Sequence, residues 1–200
     1  MWEPEGVEWY RTEFSRAIGA LSERGVVFVV PAPLRTLRRQ RPNERVDEVI
    51  PQCLTTSDND IIMVGGTDRN GRLWSDSMLG TPECPVSVYA QGQSTQAYDL
   101  SEDKPVNRDG TCYAAAQVAG LAAYFLSHPD YRSYFKYRGN ETHTGSTVGR
   151  RMKKLLMELA YQRVSNDMKL DWEAREEYDP RAVHERVDVI YNGIHGQQTG

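Results

Sequence analysis

The chain has 200 residues, enough for one domain with a real core or for one and a half. Its formal net charge of −4 argues against a nucleic-acid or polybasic membrane surface, and no apolar run reaches the ~18 residues a membrane span needs. The three cysteines, Cys53, Cys84 and Cys112, have no metal-like spacing, and their odd number leaves at least one thiol outside any internal disulfide. A reducing, cytoplasmic setting without a cofactor is therefore expected, in keeping with an acidic N-terminal stretch, MWEPEGVEWYR, that lacks the apolar core of a secretory signal.

In chain order, Glu8 to Arg24 predicts a helix. Trp9, Phe14, Ala17, Ile18 and Leu21 recur at helical spacing, and Gly25 is a fitting C-terminal stop. The unbroken run VVFVVPA, Val26 to Ala32, predicts a strand buried on both faces, as in a parallel sheet, stopped by Pro31 and Pro33. Leu34 to Asp60 is polar and basic and predicts a long surface loop, including the basic cluster Arg35 to Arg41. IIMVGGT, Ile61 to Thr67, predicts a second buried strand, followed by a turn over Asp68 to Arg72. VSVYAQG, Val86 to Gly92, predicts a third strand, and Gln93 to Arg108 a polar connection. A helix opens at Cys112 or Tyr113 and runs to about Ser127, and another covers about Val148 to Val164. Residues 1–165 form the expected domain and 166–200 a polar tail, in which VDVIYNG, Val187 to Gly193, predicts an edge strand. The order predicts an α/β fold, a mainly parallel sheet flanked by helices in three layers.

The chemistry centres on Gly110, Thr111 and Cys112, where a tight turn opens into an apolar helix. A helix N-terminus presents unpaired N–H groups and the positive end of the macrodipole. A thiol there gains thiolate character, and the carbonyl oxygen it attacks can receive a backbone N–H. Cys112 is thus a candidate acyl-transfer nucleophile. The competing reading is a small buried hydrophobe. Trp74, Tyr89 and Tyr113 line a pocket or, the plainer reading, fill the core.

The segment GTCYAAAQVAG resembles the nucleophile motif of the subtilisin-like serine proteases, Gly-Thr-Ser-x-Ala-[Ser/Ala]-Pro-x-Val-Ala-Gly, with Cys112 where the family has its serine. GVVFVVPA resembles the strand leading to the family's oxyanion-hole asparagine, IIMVGGTDRNGRLWSDSMLG its V-G-A-x-D-x-x-G … F-S-x-x-G stretch, and VSVYAQG its V-x-A-P-G. VIYNG resembles endings of fungal members. The resemblance implies the C-terminal half of a subtilase domain acting on peptide or protein substrates.

Departures accompany it. The family's Asp and His precede this region, and none of His128, His143, His184 and His195 matches the catalytic histidine. Of the four, His128, just after the nucleophile helix, is the candidate to test, with an exposed helix-end histidine as the plainer reading. Alignment of the first strand places Leu34, which lacks a side-chain donor, at the oxyanion asparagine, with Asn43 as the alternative if the loop slips. The usual proline is Ala116. Three functions stay open: peptide hydrolysis or acyl transfer through Cys112, impaired or dependent on a partner; a non-catalytic pseudoprotease or binding module; and unrelated thiol chemistry on the half-fold. An exposed sheet edge would call for a second copy or a complementing chain.

Overall fold

The computed structural model describes residues 4–35, 50–135 and 147–161. Helix α1 spans Pro4–Glu23, strand β1 Phe28–Pro31, a 3-10 turn Gln52–Leu54, β2 Ile61–Thr67 and β3 Val88–Gln91. A hairpin of β4, Thr95–Asp99, and β5, Lys104–Arg108, precedes helix α2, Thr111–Ser127. Helices α3, Pro129–Phe135, and α4, Val148–Leu159, complete the order.

Strands β1, β2 and β3 form a parallel sheet in that order, with Phe28 opposite Ile61 and Val64 opposite Val88. Successive side chains of a strand point to opposite faces, and both faces of this sheet are covered, which is why β2 is apolar without interruption. Ile62 and Val64 face one core cluster with Val118, Ala122 and Phe125 of α2 and Met152 and Leu156 of α4. Ile61 and Met63 face the other, with Val30, Ala32 and Cys84 and with Ile18 of α1 packed against it. The sheet is thus the middle of three layers, as the sequence predicts.

The helix over Glu8 to Arg24 forms, but only part of its apolar stripe is covered. Among the described residues nothing buries Trp9, which is 59% exposed, or Phe14, 45% exposed. Periodicity identifies an apolar face; it carries no information about what lies against it.

Three expectations need correction. The strand predicted over Val26 to Ala32 is shorter, Phe28–Pro31, and ends at Pro31 as expected, although Ala32 N–H still donates to Val64 O at 2.8 Å. The stretch ahead of β2 is not simply surface loop: Gln52, Thr55 and Asp60 are buried. The Gln52 amide donates to Pro31 O at 3.0 Å, and Lys153 of α4 reaches in to donate to Thr56 O at 2.5 Å and Asn59 O at 3.4 Å. The polar connection over Gln93 to Arg108 is the β4–β5 hairpin, antiparallel, with Ala97 opposite Val106. The remaining basic residues of the Arg35 to Arg41 cluster, the tail after 165, the predicted strand over Val187 to Gly193, Asn43, His143, His184 and His195 lie outside the described residues.

Candidate functional site at the mouth of helix α2

The site lies beyond the C-terminal ends of the parallel strands, where β1, β3 and α2 meet. Thr111, 3% exposed, donates its hydroxyl to Ala32 O just past β1 at 2.6 Å. Gly110 N–H donates to Gly92 O just past β3 at 2.8 Å, and the N–H groups of Gly92 and Gln93 both donate to Thr67 O at the end of β2. Gln117, in the second turn of α2, donates its amide to Gln91 O at 2.7 Å. The helix start is therefore tied to the ends of all three strands.

Glycines make that approach possible. A Cβ on Gly66 would sit 3.0 Å from the Trp74 ring and 3.4 Å from Thr111 Cγ2; one on Gly92 would sit 3.1 Å from Gly66 Cα and 3.2 Å from Gly110 O. Glycine inside a strand is otherwise unfavourable and marks a close backbone approach. The paired glycines of VGGT carry that signal in the sequence. Gly92→Ala should cost roughly 1 kcal/mol, because backbone has to move by a few tenths of an ångström in a packed layer. Urea unfolding would register the cost, and an unchanged midpoint would show that the layer is looser than these contacts require.

Cys112 stands in the first turn of α2 with its side chain exposed. Of the two readings of this residue, the structure excludes the buried hydrophobe. Gly110, the N-cap, has no side chain to cap the helix, so the N–H groups of the first turn are not met by a capping side chain. A Cβ on Gly110 would lie 2.9 Å from Cys112 Sγ and 3.3 Å from the Tyr113 ring, so any larger residue would displace the thiol. Tyr113 N–H is already donated to Gly110 O at 3.1 Å, so the arrangement presents a sulfur, the backbone N–H groups of Thr111 and Cys112 and the positive helix end in one place, which suits attack on a carbonyl carbon and stabilisation of the resulting oxyanion.

The other predicted residues fall as follows. Leu34 is half-buried, and its backbone bridges Ser77, flanked by Arg35 N–H to Asp76 O and Met78 N–H to Pro33 O. A leucine there offers no side-chain donor. Trp74 and Tyr89 are core, 6% and 8% exposed, and Tyr113 is half-buried. Ala116 is exposed on the second turn of α2. His128 is not brought to the thiol: it is the C-cap of α2, packed between Tyr124 and Tyr131. At 1.5 Å per residue it lies about 24 Å from Cys112 along the helix, which removes it as a base for that sulfur.

No family model matches the chain, and no curated protein matches it. Solved structures do. A cold adapted subtilisin-like serine proteinase superposes with a TM-score of 0.56 at 18% identity, covering 90% of this chain and 50% of that one. The PatG macrocyclase domain gives 0.52 at 19%, covering 81% and 41%. The self-cleaved protease domain of PatA gives 0.51 at 19%, covering 73% and 46%. These likenesses show a subtilisin-like fold. The chain spans half or less of each of these structures.

Proposed function

We propose that the chain is a subtilisin-related acyl-transfer unit that uses Cys112 in place of the serine to attack a peptide carbonyl. The observation that carries this is the exposed thiol at an uncapped helix mouth, at the C-terminal edge of a subtilisin-like sheet. The carbonyl oxygen would be held by first-turn N–H groups of α2, since Leu34 contributes none. The acyl-enzyme is a thioester, which prefers amines over water more than an ester does, so transfer to an amine is favoured over hydrolysis. One of the structures similar to this chain is a macrocyclase domain, in keeping with that preference.

Among the described residues no histidine reaches the thiol, and a general base is still needed. We place it on a complementing chain, or a second copy, seated at the outer edge of β1 and the uncovered face of α1, where Trp9 and Phe14 stand in solvent. The cytoplasm, where thiols stay reduced, suits this chemistry. A fungal-type origin rests on VIYNG alone. The absence of a donor at Leu34 favours a second reading, a binding module that has lost catalysis.

Acyl capture separates the two readings. The folded chain is mixed with a short peptide thioester and an amine-bearing peptide, and the covalent mass at Cys112 is followed. A rate roughly tenfold or more above that of the urea-unfolded chain, lost in Cys112→Ala, is expected. Capture no faster than in the unfolded chain would leave the binding-module reading standing. A monomeric native mass in a preparation that turns over peptide would remove the partner.

A further inference from the structure

On the other side of the sheet from α2, the thiol of one further cysteine meets the backbone of another. Cys84 donates its S–H to the backbone oxygen of Cys53 at 3.3 Å, across 31 residues of sequence. Cys84 is buried, Cys53 is half-buried, and no disulfide joins them. Both belong to the apolar cluster built on Val30, Ala32, Ile61 and Met63. Cys53 sits in the 3-10 turn Gln52–Leu54. Cys84 sits in a tight turn closed by paired bonds of 3.1 Å between the backbones of Thr81 and Cys84. A carbonyl oxygen lies about 2.4 Å from its own Cα by standard bond lengths, and a disulfide spans Cα atoms up to about 6.8 Å apart. The Cys84 sulfur thus lies against the backbone of Cys53, and closing a bond would require the Cys53 side chain to rotate and either turn to shift.

We propose that Cys53 and Cys84 are a dithiol modification site that reacts with small-molecule disulfides of the glutathione class. Cys53, the more accessible, attacks as the thiolate; the small disulfide's S–S bond breaks, one half leaves as a thiol, and the other remains bonded to Cys53. Cys84 then attacks the Cys53 sulfur, the mixed disulfide breaks, the second small thiol leaves, and a Cys53–Cys84 bond forms. The protein loses two electrons and two protons, and the small disulfide gains them as two thiols. Cys112, alone at the helix mouth, can complete only the first half and stays capped. The new bond would staple the turn that holds Gln52, whose amide anchors Pro31 O at the end of β1, to the loop leading into β3. This site is independent of the chemistry proposed for Cys112.

The whole chain is incubated with glutathione disulfide, remaining thiols are alkylated under denaturing conditions, and non-reducing peptide maps are read. A linked peptide pair containing Cys53 and Cys84, with the mass of two hydrogens lost, and glutathione retained on Cys112 are expected. The conservative Cys84→Ser variant should instead retain glutathione on Cys53. Alkylation of both Cys53 and Cys84 in the native chain, or equal glutathione retention at Cys53 with and without Cys84, would overturn the proposal. Where Cys84→Ser fails to fold, the native-chain map decides alone.

Discussion

Thr111→Val should destabilise the protein by about 1–3 kcal/mol and slow acyl capture at Cys112, whereas Thr111→Ser should stay close to wild type. Valine keeps the shape of threonine and loses the donor. The bond it removes, 2.6 Å to Ala32 O, joins residues that are 3% and 2% exposed, so the carbonyl cannot turn to water for compensation. A buried acceptor stripped of its donor costs more than the net worth of the bond. The functional effect follows from position. Thr111 immediately precedes the thiol and fixes the start of α2 against the end of β1. With it loosened, the first-turn N–H groups and the sulfur no longer hold one geometry, and a displacement near 1 Å is enough to lose most of an orientation effect. Serine retains the hydroxyl and gives up only the methyl that packs near Gly66. Urea unfolding and thioester capture on the three proteins make the comparison. A valine variant as stable as wild type would show that the helix mouth is held by packing alone.

That dependence on one buried hydroxyl also shows where sequence reading succeeds and where it stops. The run Ile61 to Thr67 was legible because burial on both sheet faces leaves it without a polar residue before Thr67 at its end. Gly110, Thr111 and Cys112 were legible because a small-residue turn before an apolar helix has few other uses. The β4–β5 hairpin was missed because β4 alternates only between half-buried and exposed and β5 is exposed except at Val106, with hardly an apolar face to mark the period: TQAYD and KPVNR read as loop. The burial of Gln52, Thr55 and Asp60 was missed for a related reason. Polar residues signal surface until a tertiary partner such as Lys153, some hundred positions away in the chain, is in place to meet the backbone around them. His128 stands at the C-terminal end of α2, the plainer of its two readings, because the helix that starts at Thr111 runs unbroken to Ser127. Local chemistry is written in neighbouring residues, whereas the partners of buried polar groups are set by topology.

The most pH-sensitive consequence of that hidden layer lies at Lys153. The residue is 3% exposed. Its ammonium donates to Thr56 O and Asn59 O, and burial pulls its pKa from 10.5 down to about 8, against the opposing pull of Asp58 and Asp60. The charged form is therefore disfavoured in the folded chain. Below pH 8 both states carry the proton, and stability from this group is level. Between about pH 8 and pH 10.5 the unfolded chain binds the proton and the folded chain has released it, so stability rises with pH across that window. The rise attributable to Lys153 should be roughly 2–3 kcal/mol, at 1.36 kcal/mol per pKa unit. Other groups also respond to alkaline pH, so the measurement is a difference: denaturant unfolding of wild type and Lys153→Met from neutral pH to 10.5. Methionine keeps the apolar stem and cannot titrate. It forfeits the two donated bonds but also the cost of an interior charge, so near neutrality the two proteins should differ little. The wild-type minus variant difference should then climb steadily above pH 8. A flat difference would mean that the ammonium is solvated in the folded chain and that the stretch ahead of β2 is not sealed by α4.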